Sequence, residues 1–438
     1  AKMMVGISQT QEQVCKDGTT SVVVLGGQML ALSEGLLLRG IHPQTIVRAY
    51  NRASVIALEG VQAQRTEGDE LAVAKTALRG KATESHLDDA ASLCVDVATA
   101  VEGDLDRVRI ITQAGGSMKD SYWDAGLILS KDFADPTVAD DTEFSDARIL
   151  LLDGGLEGFD FSDVQMQVTD PAQLQQIKDE EFQMLGHAAQ EISNRCDVLF
   201  VRDGVHEAVV KYLSAKGVAV VSRLQQSDMD ALTRITGAPC YHRFTDADEE
   251  QLTVDGSVIK RERIGDLDYV SVIVPEATVV TMVVRGATRQ TLDEYERAFD
   301  DALGVVCLYM SDRGDGVLAG GGAALSKASV AVRKHAQDES GLSARERMCL
   351  EAYADSLEIV PAAIANNAGM DPLDVVMELR SCPHHHGLYI DDEGVGSVCD
   401  TFKKGVVEPT QLIRQIITSA TEVATAILRI DDIVARKG

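Results

Sequence analysis

The sequence predicts a multi-domain α/β chain: a mostly helical module built from both chain ends, with an α/β module inserted between them. Three observations carry this prediction. Apolar residues recur at helical spacing near both termini, the middle holds short β-branched runs, and 438 residues exceed a single core. At about 150 residues per domain the length implies roughly three domains.

The elements follow in order. The opening Ala1-Lys2-Met3 enters directly into a helical pattern. After Thr19-Thr20-Ser21, Leu25, Met29, Leu32 and Leu36 form an apolar helix stripe. Gly40 ends that helix and Pro43 suits the first turn of the next, which runs to about Gln64. In the middle, RILLLD (148–153), DVLFVRD (197–203) and GVAVVSRL (217–224) read as strands, with a helix at 205–216 between the last two. That β-α-β order implies parallel strands joined by a right-handed crossover. Further strands are expected at 268–274 and 278–285, and a helix at 291–310 whose buried stripe is Leu292, Tyr295, Phe299 and Val306. Pro409 opens a last long helix with Leu412, Ile416, Ala420, Val423 and Ile427 on one face. Segments 70–124 and 278–313 read as hinge regions, and no internal repeat is seen.

Composition narrows the function. The net charge is −28, from 69 acidic against 41 basic residues. Such a surface repels phosphate backbones, so nucleic acid is not the expected ligand. The basic residues are 15 Lys and 26 Arg. This balance fits either a salt-rich cytoplasm or an acidic protein of an ordinary cell. The eight cysteines are dispersed without a CxxC pair, which suggests a reducing cytoplasm. No secretory leader is evident, and the apolar run 22–38 is interrupted by Gly26, Gly27, Gln28, Ser33 and Glu34, so a core helix is expected rather than a membrane span.

Four segments invite chemistry. Asp17-Gly18-Thr19-Thr20-Ser21 enters a helix. There, unpaired N–H groups attract phosphate, Gly18 permits close approach, hydroxyls donate, and Asp17 suits Mg²⁺; an ordinary helix cap has the same composition. No Walker A loop is present. Gly320-Gly321-Gly322 precedes another helix and reads as a backbone cradle or as a flexible turn. Asp301 shares a polar helix face with Glu294 and Arg297, a face that is either merely solvated or presents a carboxylate to orient a water. His384-His385-His386 lacks partners at zinc-finger spacing and reads as an exposed loop.

Taken together, the segments resemble the group II chaperonins, the archaeal thermosome and eukaryotic cytosolic chaperonin family. DGTTSVVVLGGQML resembles the phosphate loop of that family, IHPQTIVRAY the following helix, and TALRGKATE (76–84) its hinge. QAGGSMKDS, RILLLDGGLE and DVLFVRDGVHEAVVKYLSAKGV resemble the junction and apical segments. DEYERAFDDAL, AGGGA, NNAGMDPLDVVMELR and ATAILRIDDIVA complete the order.

The resemblance implies an equatorial domain over 1–70 and 314–438, an intermediate domain over 71–124 and 278–313, and an apical domain over 125–277 that binds unfolded client proteins. A helical lid protrusion is expected near 160–181. The implied activity is Mg-ATP hydrolysis that drives lid closure in stacked rings of identical or paralogous subunits. ATP or ADP and Mg²⁺ are the implied cofactors. Asp17 is implied as Mg²⁺ ligand, Gly18, Thr19, Thr20 and Ser21 as phosphate binders, and Gly80 and Lys81 as groups reaching the nucleotide from the hinge. Asp301 is implied to position the attacking water, Gly320 and Gly321 to lie along the sugar and base, and Glu408 to contact the ribose. Val209 and Tyr212 are candidates for client contact, or alternatively pack on the sheet.

The chain departs from the pattern at Lys16, where the family has Gly, at Ala319, where it has Pro, and at Leu325, where it has a Glu used between subunits. The family also carries a segment ahead of this chain's start, with a Gly-Pro loop and an Asn-Asp-Gly stretch. These departures leave a second reading, a non-hydrolysing ring or scaffold protein of chaperonin descent.

Overall fold

The computed structural model describes residues 2–136, 138, 142–157, 171–247, 252–274, 279–311, 315–391 and 393–430, without side chains at 171–179 and 181. The chain divides into two compact units, residues 1–105 with 297–438, and residues 106–296.

In chain order, α1 (Lys2–Cys15), α2 (Thr19–Leu38), α3 (Pro43–Gln62), α4 (Glu70–Leu78) and α5 (Leu87–Ala100) come first. The second unit begins with β1 (Val108–Ala114), β2 (Tyr122–Ala125), β3 (Leu127–Leu129), β4 (Glu143–Ser145) and β5 (Ile149–Leu152). It continues with α6 (Pro171–Arg195), β6 (Val198–Val201), α7 (Glu207–Ala215), β7 (Ala219–Val221), α8 (Gln226–Thr236) and β8 (Cys240–Tyr241). Then follow β9 (Val258–Ile264), β10 (Leu267–Ile273), β11 (Val280–Gly286) and α9 (Arg289–Ser311). The first unit resumes with β12 (Val317–Ala319), α10 (Ala323–Asp338), α11 (Ala344–Leu357), α12 (Ile359–Asn367) and α13 (Pro372–Ser381). It ends with β13 (His386–Ile390), β14 (Gly396–Asp400), β15 (Val407–Pro409) and α14 (Thr410–Leu428).

The first unit is a helical core into which α2, α3, α10, α11 and α14 turn their apolar faces. Helix α2 is long and apolar enough to cross a membrane by length and composition. Its Val22, Leu25, Met29 and Leu36 are instead buried in this core. Each such aliphatic side chain contributes about 1.5–3 kcal/mol when fully buried. Within it Ser33 Oγ donates to Met29 O at 2.6 Å, and the Tyr50 ring meets Tyr353 edge-on at 5.2 Å. Two small antiparallel pairs, β12 with β15 and β13 with β14, sit in the same unit.

The second unit holds a parallel sheet in the order β7-β6-β5-β8, with α7 as the crossover between β6 and β7. This is the β-α-β unit expected from the sequence. It also holds a β3-β10-β9-β4 sheet and a three-stranded β1-β11-β2 sheet. The expected strands at 268–274 and 278–285 are β10 and β11. Of the two readings open for Val209, client contact or packing on the sheet, the second holds: it is 3% exposed and packs beneath the sheet, and an apolar residue at that depth presents nothing to a client. Tyr212 is exposed. Of the segment expected to form a protrusion, residues 160–170 lie outside the described residues, and the remainder belongs to α6.

Candidate functional site

The first unit gathers polar groups around one cavity of about 120 Å³, lined by Asp17, Gly18, Ser21, Gly322, Leu325 and Glu408 among others. Two helices begin there in the same unusual way. The N-cap of α2 is Gly18 at φ 77°, and that of α10 is Gly322 at φ 77°; neither has a side-chain cap. Thr19 is therefore the first helical residue of α2 and not its cap. Helix N-termini left uncapped present free N–H groups and partial positive charge. Glycine serves at both caps because the left-handed backbone disfavours a side chain. Space adds to this at Gly18, where a Cβ would come within 2.8 Å of Ile416 Cδ1.

The neighbouring glycines are equally constrained. A Cβ on Gly321 would collide with the Leu388 carbonyl, and one on Gly320 would press on Val406 and approach Glu408 Oε1 at 3.4 Å. The turn is fixed on both sides, since Gly320 N donates to Val406 O at 2.9 Å and Leu388 N to Gly321 O at 2.9 Å. Strand β12 thus leads through a glycine turn into α10, and its partner β15 places Glu408 opposite Leu318.

Asp17 stands on the link between α1 and α2. Its Oδ1 accepts from Gly18 N at 2.7 Å. Burial pushes its carboxyl above the usual range, against that hydrogen bond and the charge of Lys81. Glu408 is half-buried at the cavity; shelter from water, and then the charge of Asp17, push it up to about 7. Lys81 Nζ pairs with Asp301 Oδ2 at 2.5 Å, and both act electrostatically on Asp17. Thr76 holds α4 against β15, with Val407 N donating to Thr76 Oγ1 at 3.0 Å. That contact brings the Gly80-Lys81 loop beside Glu408's strand.

Asp17, Gly18, Ser21 and Glu408 therefore share one cavity, and Lys81 and Asp301 share an ion pair within electrostatic reach of Asp17. Gly320 and Gly321 form the turn behind it. Thr19 is half-buried in the first turn of α2 and Thr20 is exposed. Gly80 lines a second cavity of about 750 Å³ with Leu388, Tyr389 and Val406; Ile364 lines both cavities.

One contributor was missed in the sequence. Gln11 is fully buried, and its Nε2 donates to Asp17 O at 2.9 Å while its Oε1 has no partner. The available signal was an amide at the middle of α1's buried stripe of Ile7, Gln11 and Cys15. Leu325 is 2% exposed and forms part of the cavity wall.

The arrangement suits an anion only if a cation comes with it. Two helix N-termini attract phosphate, yet Asp17 and Glu408 would repel it. Carboxylate plus phosphate oxygens is the donor set that Mg²⁺ prefers. The crowded glycine turn is consistent with a backbone cradle for such a ligand. The residues present thus fit a metal-accompanied polyphosphate. Among the described residues, the one group of three ligating side chains close enough for a metal is Glu12, Asp300 and Asp301; the three histidines at 384–386 form none.

The whole chain, residues 1–438, matches the TCP-1/cpn60 chaperonin family. It is 37% identical to thermosome subunit 1 of Haloferax volcanii over 449 residues, covering 99% of this chain and 79% of that one. It is 36% identical to the thermosome subunit of Methanopyrus kandleri, covering 100% and 82%. The open-state monomer of a group II chaperonin from Methanococcoides burtonii superposes with a TM-score of 0.70 at 27% identity, over 94% of this chain and 100% of that one. With a family match along its entire length, thermosome relatives above one-third identity and the fold of a group II monomer, the chain belongs to the TCP-1/cpn60 chaperonin family as a group II chaperonin subunit.

Proposed function

We propose that this chaperonin subunit binds Mg-ATP at the cavity of the first unit and hydrolyses it to drive enclosure of unfolded proteins. The observation that carries this reading is a cavity that joins Asp17 and Glu408 to two uncapped helix N-termini, with the Lys81–Asp301 pair within electrostatic reach of Asp17. The backbone N–H groups of α2's first turn and the hydroxyls of Thr19, Thr20 and Ser21 would hold phosphate oxygens. Asp17 would hold the metal, which when bound neutralises phosphate charge and aligns the leaving oxygens. Asp301 would orient the attacking water, and Lys81 holds Asp301 in place while carrying the compensating charge. Gly320 and Gly321 let sugar and base approach the backbone, Gly80 borders that side from its loop, and Glu408 would accept a ribose hydroxyl.

The equatorial, intermediate and apical assignment given above, with residues 125–277 as the client-binding part, completes the proposal. So does assembly into stacked rings of identical or paralogous subunits in the cytoplasm. The relatives' description as thermosome subunits supports the assembly.

The test is phosphate release from Mg-ATP by wild-type rings and by Asp301→Ala. Loss of a group that orients the nucleophile should slow release by about 10²–10⁴-fold, with nucleotide affinity retained. Equal inactivity of both proteins in intact rings would overturn hydrolysis and favour a scaffold.

A further inference from the structure

Lys16 occupies the position where the family's phosphate loop has glycine, and the structure shows what a side chain does there. Its backbone takes φ 58°, a left-handed conformation that a non-glycine residue keeps only when its surroundings impose it. The surroundings are the helix that carries Asp301. Lys16 Nζ donates to Asp300 Oδ2 at 3.0 Å, with Lys16 29% and Asp300 44% exposed. Its aliphatic stem lies against Gly304, one turn further along α9; a Cβ at Gly304 would collide with Lys16 Cβ and Cγ. A lysine, an acidic partner and a glycine that makes room for the lysine thus meet at one place. Asp17, the next residue, is on the cavity, and Asp301, the next residue after Asp300, is paired with Lys81.

We propose that Lys16 is a positioning residue that tethers α9 to the phosphate loop through Asp300, fixing the distance between Asp17 and Asp301. The tether rests on contacts within the first unit; its consequence for hydrolysis rests on the function proposed above. Lys16 acts on the α9 side of the loop, because its ammonium is engaged by Asp300. The two ion pairs, Lys16 with Asp300 and Lys81 with Asp301, hold adjacent residues of one helix from two different loops. Together they restrain it against both translation and rotation. Glu12, which feels Lys16, Asp300 and Asp301, completes a cluster in which each lysine sits between carboxylates.

The experiment compares wild type, Lys16→Gly, Asp300→Asn and the double variant. Lys16→Gly restores the residue the backbone prefers, so loss of folding is not expected from it. Hydrogen exchange of α9 amides is read without nucleotide, and steady-state kinetics with Mg-ATP. The tether predicts faster exchange over residues 297–311 in both single variants, by about fivefold for a partly exposed pair, and no further gain in the double variant. It predicts a lower kcat in the same three proteins, with nucleotide affinity unchanged. Unchanged exchange in Lys16→Gly would overturn the tether. So would weaker nucleotide binding in Lys16→Gly but not in Asp300→Asn, which would make Lys16 a phosphate contact. If wild type hydrolyses no ATP, the functional reading fails, while the exchange comparison still decides the tether.

Discussion

The parallel sheet of the second unit and the cavity of the first are assembled in opposite ways. Strands β5 to β8 come from residues 149–241, and each buried side chain there serves the packing of its own neighbourhood. The cavity brings Asp17 and Glu408 together from opposite ends of the chain, with Gln11 behind Asp17 and the Lys81–Asp301 pair within electrostatic reach of it, and several of these groups are costly where they stand. Two carboxylates are pushed toward neutrality, an amide oxygen is unpartnered, and glycine turns are crowded on every side. Departures from low-energy local choices concentrate at sites that bind or react. The sheet is built mainly from apolar side chains in mutual contact, and those residues read as scaffold.

Substitutions can break or sharpen that contrast. The largest stability effects are expected from Gly321→Ala and Leu199→Ala, and they should differ in kind. Gly321→Ala adds a methyl against the Leu388 carbonyl at a φ of 66°, so it should cost about 3–5 kcal/mol in a urea melt and abolish nucleotide binding. Leu199→Ala, in the middle of β6, should cost about 2–5 kcal/mol by leaving a cavity, yet leave nucleotide affinity within twofold. Lost nucleotide affinity in Leu199→Ala would erase the distinction between the two regions.

A smaller effect comes from Glu408. Its carboxyl is raised from 4.5 to about 7 in the folded protein, so the folded state holds a proton that the unfolded state releases. Stability from this group is full below about pH 4.5 and falls as pH rises toward 7. Glu408→Gln should therefore melt like wild type at acid pH and be more stable at pH 8, by about 1–2 kcal/mol. Equal stability at both pH values would show that the carboxyl is well solvated.

Much of the sheet was legible from the sequence because strands and crossover helix follow period and length locally; β5, β6, α7 and β7 fall inside the expected runs. Helices α2 and α14 were legible for the same reason, with Pro409 at the cap of α14. Two details of the cavity were not. The cap of α2 is Gly18 and not a hydroxyl or carboxylate side chain, because the chain enters the helix through a left-handed residue. The Lys16–Asp300 pair spans 284 positions, and no local pattern encodes a contact at that separation. Asp17 and Asp301 became connected only through resemblance to a known family, since their spacing carries no signal of its own. Val209, for which client contact and packing on the sheet were both open in the sequence, belongs to the core.

The central claim is that residues spread over the first unit form one nucleotide site. The most direct measurement is a structure determined with Mg²⁺, ADP and a γ-phosphate mimic. The account predicts phosphate density at the N-terminus of α2, metal density at Asp17, and sugar and base density along Gly320, Gly321 and Glu408. Nucleotide density anywhere else on the subunit, with this cavity empty, would contradict it.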